Sequence, residues 1–282
     1  MPGTGSPIVR RRELGTLLRG LRSSKGWTVE QVAERLLCSP SKVSRMETGQ
    51  RGVSQRDIRD LCDLYGVDDE QRQRLASLAA AGKEQGWWQV RGLSYPTYIG
   101  LEAEAAAIHD FGLGAIPGLL QTADYARAVL ETFRPPLGAE VIEQRLATRL
   151  DRQRILVSAR PPLFEAVLEE GVLHRVVGSR ATMRAQLERL LSASELPNVT
   201  ISVVPYQAGA LPVNYSKFII LRFAQPDLTG VVFIEGLTGN LYLDRPDEVE
   251  AYSDTLSALR DMAETGDHAR GRIAAIASTF DD

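Results

Sequence analysis

Between Leu37 and Gly52 the chain reads LCSPSKVSRMETGQRG, with Lys42, Arg45 and Arg51 set among three serines and a threonine. These side chains are rich in hydrogen-bond donors. A guanidinium carries five N–H groups and an ammonium three, and neither accepts. Such groups pair with phosphate oxygens or with the O6 and N7 acceptors of guanine, and a serine hydroxyl suits either kind of base edge. The chemistry on offer is recognition, not bond making.

Residues for catalysis are sparse elsewhere. His109, His174 and His268 are far apart and share no metal-ligand spacing. No G-x-S-x-G elbow, P-loop or dinucleotide fingerprint occurs. Glu169 and Glu170 are adjacent, so on a helix they face different ways and are expected to be solvated or helix-ending. Glu235 closes an apolar strand and is expected to meet an arginine or a cavity. Cys38 and Cys62 lie in apparently helical segments and are expected to be small buried thiols in a reducing cytoplasm. The expectation is therefore no enzyme, no metal and no cofactor.

The elements that position the basic stretch follow from periodicity. Leu14, Leu17, Leu18 and Leu21 make one helical stripe; Val29, Val32, Ala33 and Leu36 a second; Ile58, Leu61, Cys62 and Tyr65 a third. Thr28 is an N-cap with Gln31 completing a capping box. Ser39 followed by Pro40 starts another helix, and Gly49 stops it. A last helix, about 68–83, carries Leu75, Leu78 and Ala79. At 100° per residue, the helix 40–48 buries Val43 and Met46 and turns Ser41 and Arg45 outward, flanked by Lys42, Ser44 and Thr48. Two short helices with a tight turn, the second polar and outward, describe a helix-turn-helix, whose second helix fits the major groove.

Charge agrees. Residues 1–60 hold 12 Lys and Arg against 6 Asp and Glu, whereas the remaining residues hold 21 against 30. A basic head on an acidic body predicts an anionic partner for the head alone.

The run TVEQVAERLLCSPSKVSRMETGQR resembles the xenobiotic-response-element family of helix-turn-helix domains, which have the lambda-repressor-like fold. The resemblance covers roughly residues 10–80. It implies base contacts from Ser41, Lys42 and Arg45, with Ser44 a lesser candidate, and phosphate contacts from Gln31 and Arg51, with Ser39 and Thr48 beside them. Glu47 and Gly49 match the family's E-x-G ending. The partner implied is double-stranded DNA. Because one such module buries too little surface for tight binding, a homodimer on an inverted repeat is expected.

The segment AAAGKEQGWWQVRGLSYPTY breaks the pattern with Gly82, Gly86, Gly92 and Pro96 around Trp87 and Trp88. It reads as a domain boundary, and the tryptophans are expected to dock one domain on the other or on a partner chain. Beyond it, Leu101, Ala105 and Ile108 read as one helix, Pro117–Gly118 as a turn, Leu119 to Leu130 as a helical stripe, and about 138–158 as a long charged helix. Met183, Leu187, Leu190 and Leu191 mark another helix, and Val249 to Met262 a last one. VTISVVP, KFIILRF and GVVFIE are β-branched runs bounded by turn residues, hence strands, with LYL as a fourth. The fold class expected is α+β: an all-α five-helix domain over 1–83, a hinge over 84–95 and a larger α+β domain over 96–282.

IPGLLQTADYAR, RLDRQRIL, VLEEGVLHRVVG and VTISVVP resemble the domain of unknown function that follows such a head in actinobacterial regulators of the WhiJ type. The resemblance implies a transcriptional regulator, often encoded beside a small partner protein, and no particular ligand. Candidate effector or partner residues are Trp87, Trp88, Glu102, Gln121, Tyr125, Arg149, Arg152 and Gln153. Salt bridges to neighbouring acids are the plainer role for the arginines, and fixing a turn the plainer role for PGLLQT. The second function class is an antitoxin-like interaction protein that binds a small partner and controls its own operon. No run approaches 18 apolar residues and no secretory leader is evident, so a cytoplasmic protein without membrane contact is expected.

Overall fold

Capping side chains divide the N-terminal third into short helices. In the computed structural model, which describes residues 6–83, 96–213, 216–225, 228 and 230–281, these helices are α1 (Pro7–Ser24), α2 (Val29–Arg35), α3 (Pro40–Glu47), α4 (Gln55–Tyr65) and α5 (Asp69–Ala81). Thr28 and Gln31 form the expected capping box at α2, and Ser39 accepts from the Lys42 N–H at the start of α3. Ser54 with Asp57 caps α4, and Asp68 caps α5. Each cap satisfies backbone donors that would otherwise lack partners, at about 1 kcal/mol apiece. The helices enclose one core in which Leu14, Leu18, Val32, Val43, Met46, Ile58, Leu61 and Leu75 are buried, so the stripes read from sequence are the packed faces.

The chain divides into two compact units. One runs to Glu104 and takes in residues 223–228; the other comprises 105–222 and 229–282. The boundary expected at 84–95, with Trp87 and Trp88, lies outside the described residues. A further helix, α6 (Pro96–Glu102), belongs to the first unit and packs on α1.

The second unit is built on a six-stranded sheet: β1 (Ala107–Gly112), β2 (Leu163–Glu169), β3 (Val199–Val204), β4 (Phe218–Arg222), β5 (Val231–Glu235) and β6 (Asn240–Leu243). Their order is β3-β2-β1-β4-β5-β6. The first three strands run parallel, and β4 to β6 continue as an antiparallel meander. Helices α7 (Ala123–Glu131) and α8 (Ala139–Gln153) connect β1 to β2; α9 (Gly171–His174) and α10 (Arg180–Ala193) connect β2 to β3. The chain ends with α11 (Pro246–Met262) and α12 (Gly266–Ser278). Phe111, Val167, Val204, Phe218, Ile220 and Val232 form a core with Val249, Leu256 and Leu259 of α11. Among the described residues no helix is long and apolar enough to cross a membrane.

Two sequence expectations fail here. Leu101, Ala105 and Ile108 do not share a helix: α6 stops at Glu102, and Ile108 sits in β1 between β2 and β4. β2 was not expected at all, because LFEAVLE is composed largely of good helix formers and becomes a strand only through its partners on both sides. The runs expected to be strands at 199–205, 217–223, 230–235 and 241–243 are β3 to β6.

Candidate nucleic-acid interface

The turn between α2 and α3 is closed by backbone geometry. Leu37 N–H donates to Glu34 O at 3.1 Å and Cys38 N–H to Ala33 O at 2.9 Å, the paired bonds of a Schellman ending. That ending needs a left-handed residue at its hinge. Here it is Leu37, at φ +50° and 94% exposed. The chain then turns straight into Ser39 and α3.

On α3, Val43 and Met46 are buried while Ser41, Ser44 and Arg45 are exposed. Arg45 Nε donates to the Ser41 carbonyl at 3.1 Å, one turn earlier. Ser39, Gln31 and Arg51 are exposed and Thr48 is partly buried. Gln31 Oε1 accepts from the Thr28 N–H at 2.9 Å, so its amide oxygen already serves the cap. The Arg51 N–H donates to the Arg45 carbonyl at 3.0 Å, which folds the post-helix segment back on α3. Lys42 differs from its neighbours. It is partly buried, and its Nζ lies 2.5 Å from Asp57 Oδ1 at the start of α4. Burial works against the charge of Asp57, but Lys42 and the Ser54 hydrogen bonds outweigh it and hold the carboxyl below the usual carboxylate range.

A buried ion pair fixes the attitude of α3. Glu47, 5% exposed, takes Arg22 Nε at 2.6 Å on one oxygen and Arg22 Nη2 at 2.8 Å on the other. The same guanidinium donates to the Trp27 carbonyl at 2.8 Å, so one side chain ties α1, the α1–α2 turn and the end of α3. The hydrogen bonds to Glu47 raise the pKa of Arg22. Nearby, burial first and the Glu47 charge second push the Tyr65 phenol up to about 12. Backbones also meet closely. A Cβ on Gly15 would lie 2.5 Å from the Glu47 carbonyl oxygen, and one on Gly49, at φ +66°, would lie 2.9 Å from Arg12 N. Sequence reasoning named Glu47 and Gly49 but missed Arg22, Gly15 and Asp57. A glycine beside the Leu14–Leu18 stripe of α1 was the available signal of a close helix approach.

The other candidate residues divide. Gln121, Tyr125, Arg149 and Gln153 come together around residues 116–122. Gln121 Nε2 donates to Ile116 O at 2.7 Å, and Gln121 Oε1 accepts from Arg149 Nη1 at 2.5 Å. Gln153 Nε2 donates to Gly118 O at 3.0 Å and Gln121 O at 2.7 Å, and the buried Tyr125 hydroxyl accepts from Ile116 N–H. Gln186, fully buried, completes the clamp by accepting from Thr122 N–H and donating to Leu120 O. These bonds run mostly to backbone, which fixes the loop. Arg152 is partly buried on α8. Glu102 belongs to the first unit, where Tyr98 donates to it at 2.6 Å.

Two acidic expectations are corrected. Glu235 is exposed at the end of β5, clear of the buried positions that precede it. Glu170 is buried instead of solvated: it takes Arg272 at 3.0 Å and the Tyr206 N–H at 2.7 Å, with His174 at 3.4 Å. His109 lies 2.7 Å from Glu165, its cross-strand neighbour, and Arg260 of α11 completes that cluster. Among the described residues no three His, Cys, Asp or Glu side chains are grouped to hold a metal ion.

Comparison with protein families matches residues 13–75 to a helix-turn-helix domain and residues 95–275 to a domain of unknown function, DUF5753. Comparisons with curated proteins and with solved structures found no match.

Proposed function

We propose that this chain, which belongs to the DUF5753 family, is a sequence-specific DNA-binding transcriptional regulator of the xenobiotic-response-element type, akin to the actinobacterial WhiJ-type regulators. α3 enters the major groove. Arg45 reads guanine, Ser41 and Ser44 take adjacent base edges, and Gln31, Ser39, Thr48 and Arg51 approach phosphates. The observation that carries this reading is the outward row Ser41, Ser44 and Arg45 on a short helix seated by buried Val43 and Met46 after a tight turn. A good bidentate arginine contact discriminates bases by about 1–3 kcal/mol, whereas phosphate contacts supply salt-dependent affinity without sequence choice.

The second unit acts by binding, not catalysis: it dimerises the chain and takes a ligand or a small protein partner, in the cytoplasm. Two heads then sit on an inverted repeat with half-sites about one or more helical turns apart. The test is selection of genomic DNA fragments on the purified protein, repeated with Arg45→Ala. Enrichment of one inverted repeat by the wild type, lost in the variant, supports the reading. A wild type that enriches nothing refutes it.

A further inference from the structure

Lys42 occupies a position where a reader of bases is expected, yet its ammonium is committed elsewhere. It sits in the first turn of α3, three residues after the Ser39 cap, where the positive end of the helix dipole disfavours a cation. What offsets that is Asp57. Its Oδ1 lies 2.5 Å from Lys42 Nζ, and its Oδ2 accepts from the Ser54 hydroxyl at 2.7 Å and the Ser54 N–H at 3.3 Å. The carboxylate is therefore gripped from two sides, at the N-terminus of α4, where a negative charge is favoured. Both partners are mostly shielded, with 26% of the Lys42 side chain and 18% of that of Asp57 exposed. Arg45, by contrast, directs its Nε to a carbonyl of its own helix.

We propose that Asp57 is a specificity-determining residue: by holding Lys42 against α4 it keeps that ammonium out of the groove, so that Arg45 and the serines alone choose the bases. The inference rests on the reading of α3 as the DNA-contacting helix. A free lysine at this position adds affinity for any DNA as a point charge, with little of the planar fit that lets arginine select guanine. Each phosphate neutralised by a cation steepens the dependence of log K on log salt by about 0.9. Asp57 thus lowers affinity for random sequence while leaving the selective contact in place.

The experiment measures binding of the full chain to its selected site and to random duplex across a salt series. It uses the wild type, Lys42→Ala, Asp57→Asn and the double variant, each first checked for folding by its thermal transition. Asparagine retains an oxygen for the Ser54 N–H, so the α4 cap survives. The expected result is that Lys42→Ala keeps the wild-type slope and preferred site, and Asp57→Asn steepens the slope on random duplex by about 0.9. The double variant should return to the wild-type slope. The inference is overturned if Lys42→Ala flattens the slope or changes base preference, because Lys42 would then touch DNA despite Asp57. It is equally overturned if Asp57→Asn leaves the slope unchanged, or if the double variant stays as steep as Asp57→Asn, which would reduce the effect to a lost negative charge. Absence of salt-dependent binding by all four proteins would instead refute the assignment of α3 itself, and this inference with it.

Discussion

Replacing Arg22 with methionine tests whether one ion pair sets the attitude of α3. Methionine keeps most of the apolar stem and removes the guanidinium. Glu47 then loses hydrogen bonds of 2.6 and 2.8 Å while remaining 5% exposed. Arg19, whose Nε is 3.9 Å from the same carboxylate, is too distant to replace them. Stranding one member of a buried pair costs about 3–5 kcal/mol. The Trp27 carbonyl also loses its donor, which adds about 1 kcal/mol. A combined fall of ~4–6 kcal/mol is comparable to the whole stability of a marginal small domain. Urea unfolding followed by far-ultraviolet circular dichroism would read it as a shift in midpoint. The double variant Arg22→Met, Glu47→Gln should recover about half, since the stranded charge is then gone. A loss under about 1 kcal/mol for Arg22→Met, or strict additivity in the double variant, would refute the argument that this pair anchors the helix.

Leu37→Gly should stabilise the first unit. A left-handed leucine costs about 1–2 kcal/mol, glycine returns roughly 0.4–1 of that through its freer unfolded chain, and a side chain 94% exposed has little packing to lose. A net gain of ~0.5–1 kcal/mol would appear as a higher melting temperature, and a lower one would contradict the account. Glu165 predicts acid sensitivity in the second unit. Burial opposes its charge, yet hydrogen bonds from His109 and Arg260 bring its pKa from 4.5 to about 2. The folded state therefore binds this proton more weakly than the unfolded state. Its contribution, at most ~3 kcal/mol, is complete above pH 4.5 and is lost as the pH falls toward 2. Urea midpoints between pH 2.5 and 6 should fall less steeply for Glu165→Gln than for the wild type; parallel curves would count against it.

Local signals made the head legible. Thr28 with Gln31 and Ser39 with Pro40 act within three residues, so the caps and the outward face of α3 follow from sequence alone. Contacts across the fold did not. Lys42 meets Asp57 15 residues away and Glu47 meets Arg22 25 residues away, with no motif linking them. The same limit governed the second unit. Edge and meander strands such as KFIILRF carry enough β-branched residues to announce themselves, whereas β2 owes its conformation to β1 and β3 on either side. Gln121, Tyr125, Arg149 and Gln153, candidates for an effector or partner site, meet around residues 116–122, whereas Gln186, their fully buried companion, lies on α10 and gives no local hint.

The interlock of Gly15 and Gly49 with the backbones facing them has a regulatory corollary. Where backbones nearly touch, a helix cannot roll or slide without a clash, so α3 moves only as α1 moves. If α3 contacts DNA as proposed, a signal would displace these helices as one piece instead of tilting α3 among them. For a dimeric regulator, that would put control in the spacing of the two half-sites, and sites differing in spacing by a base pair or two would respond differently while each half-site met an unchanged surface.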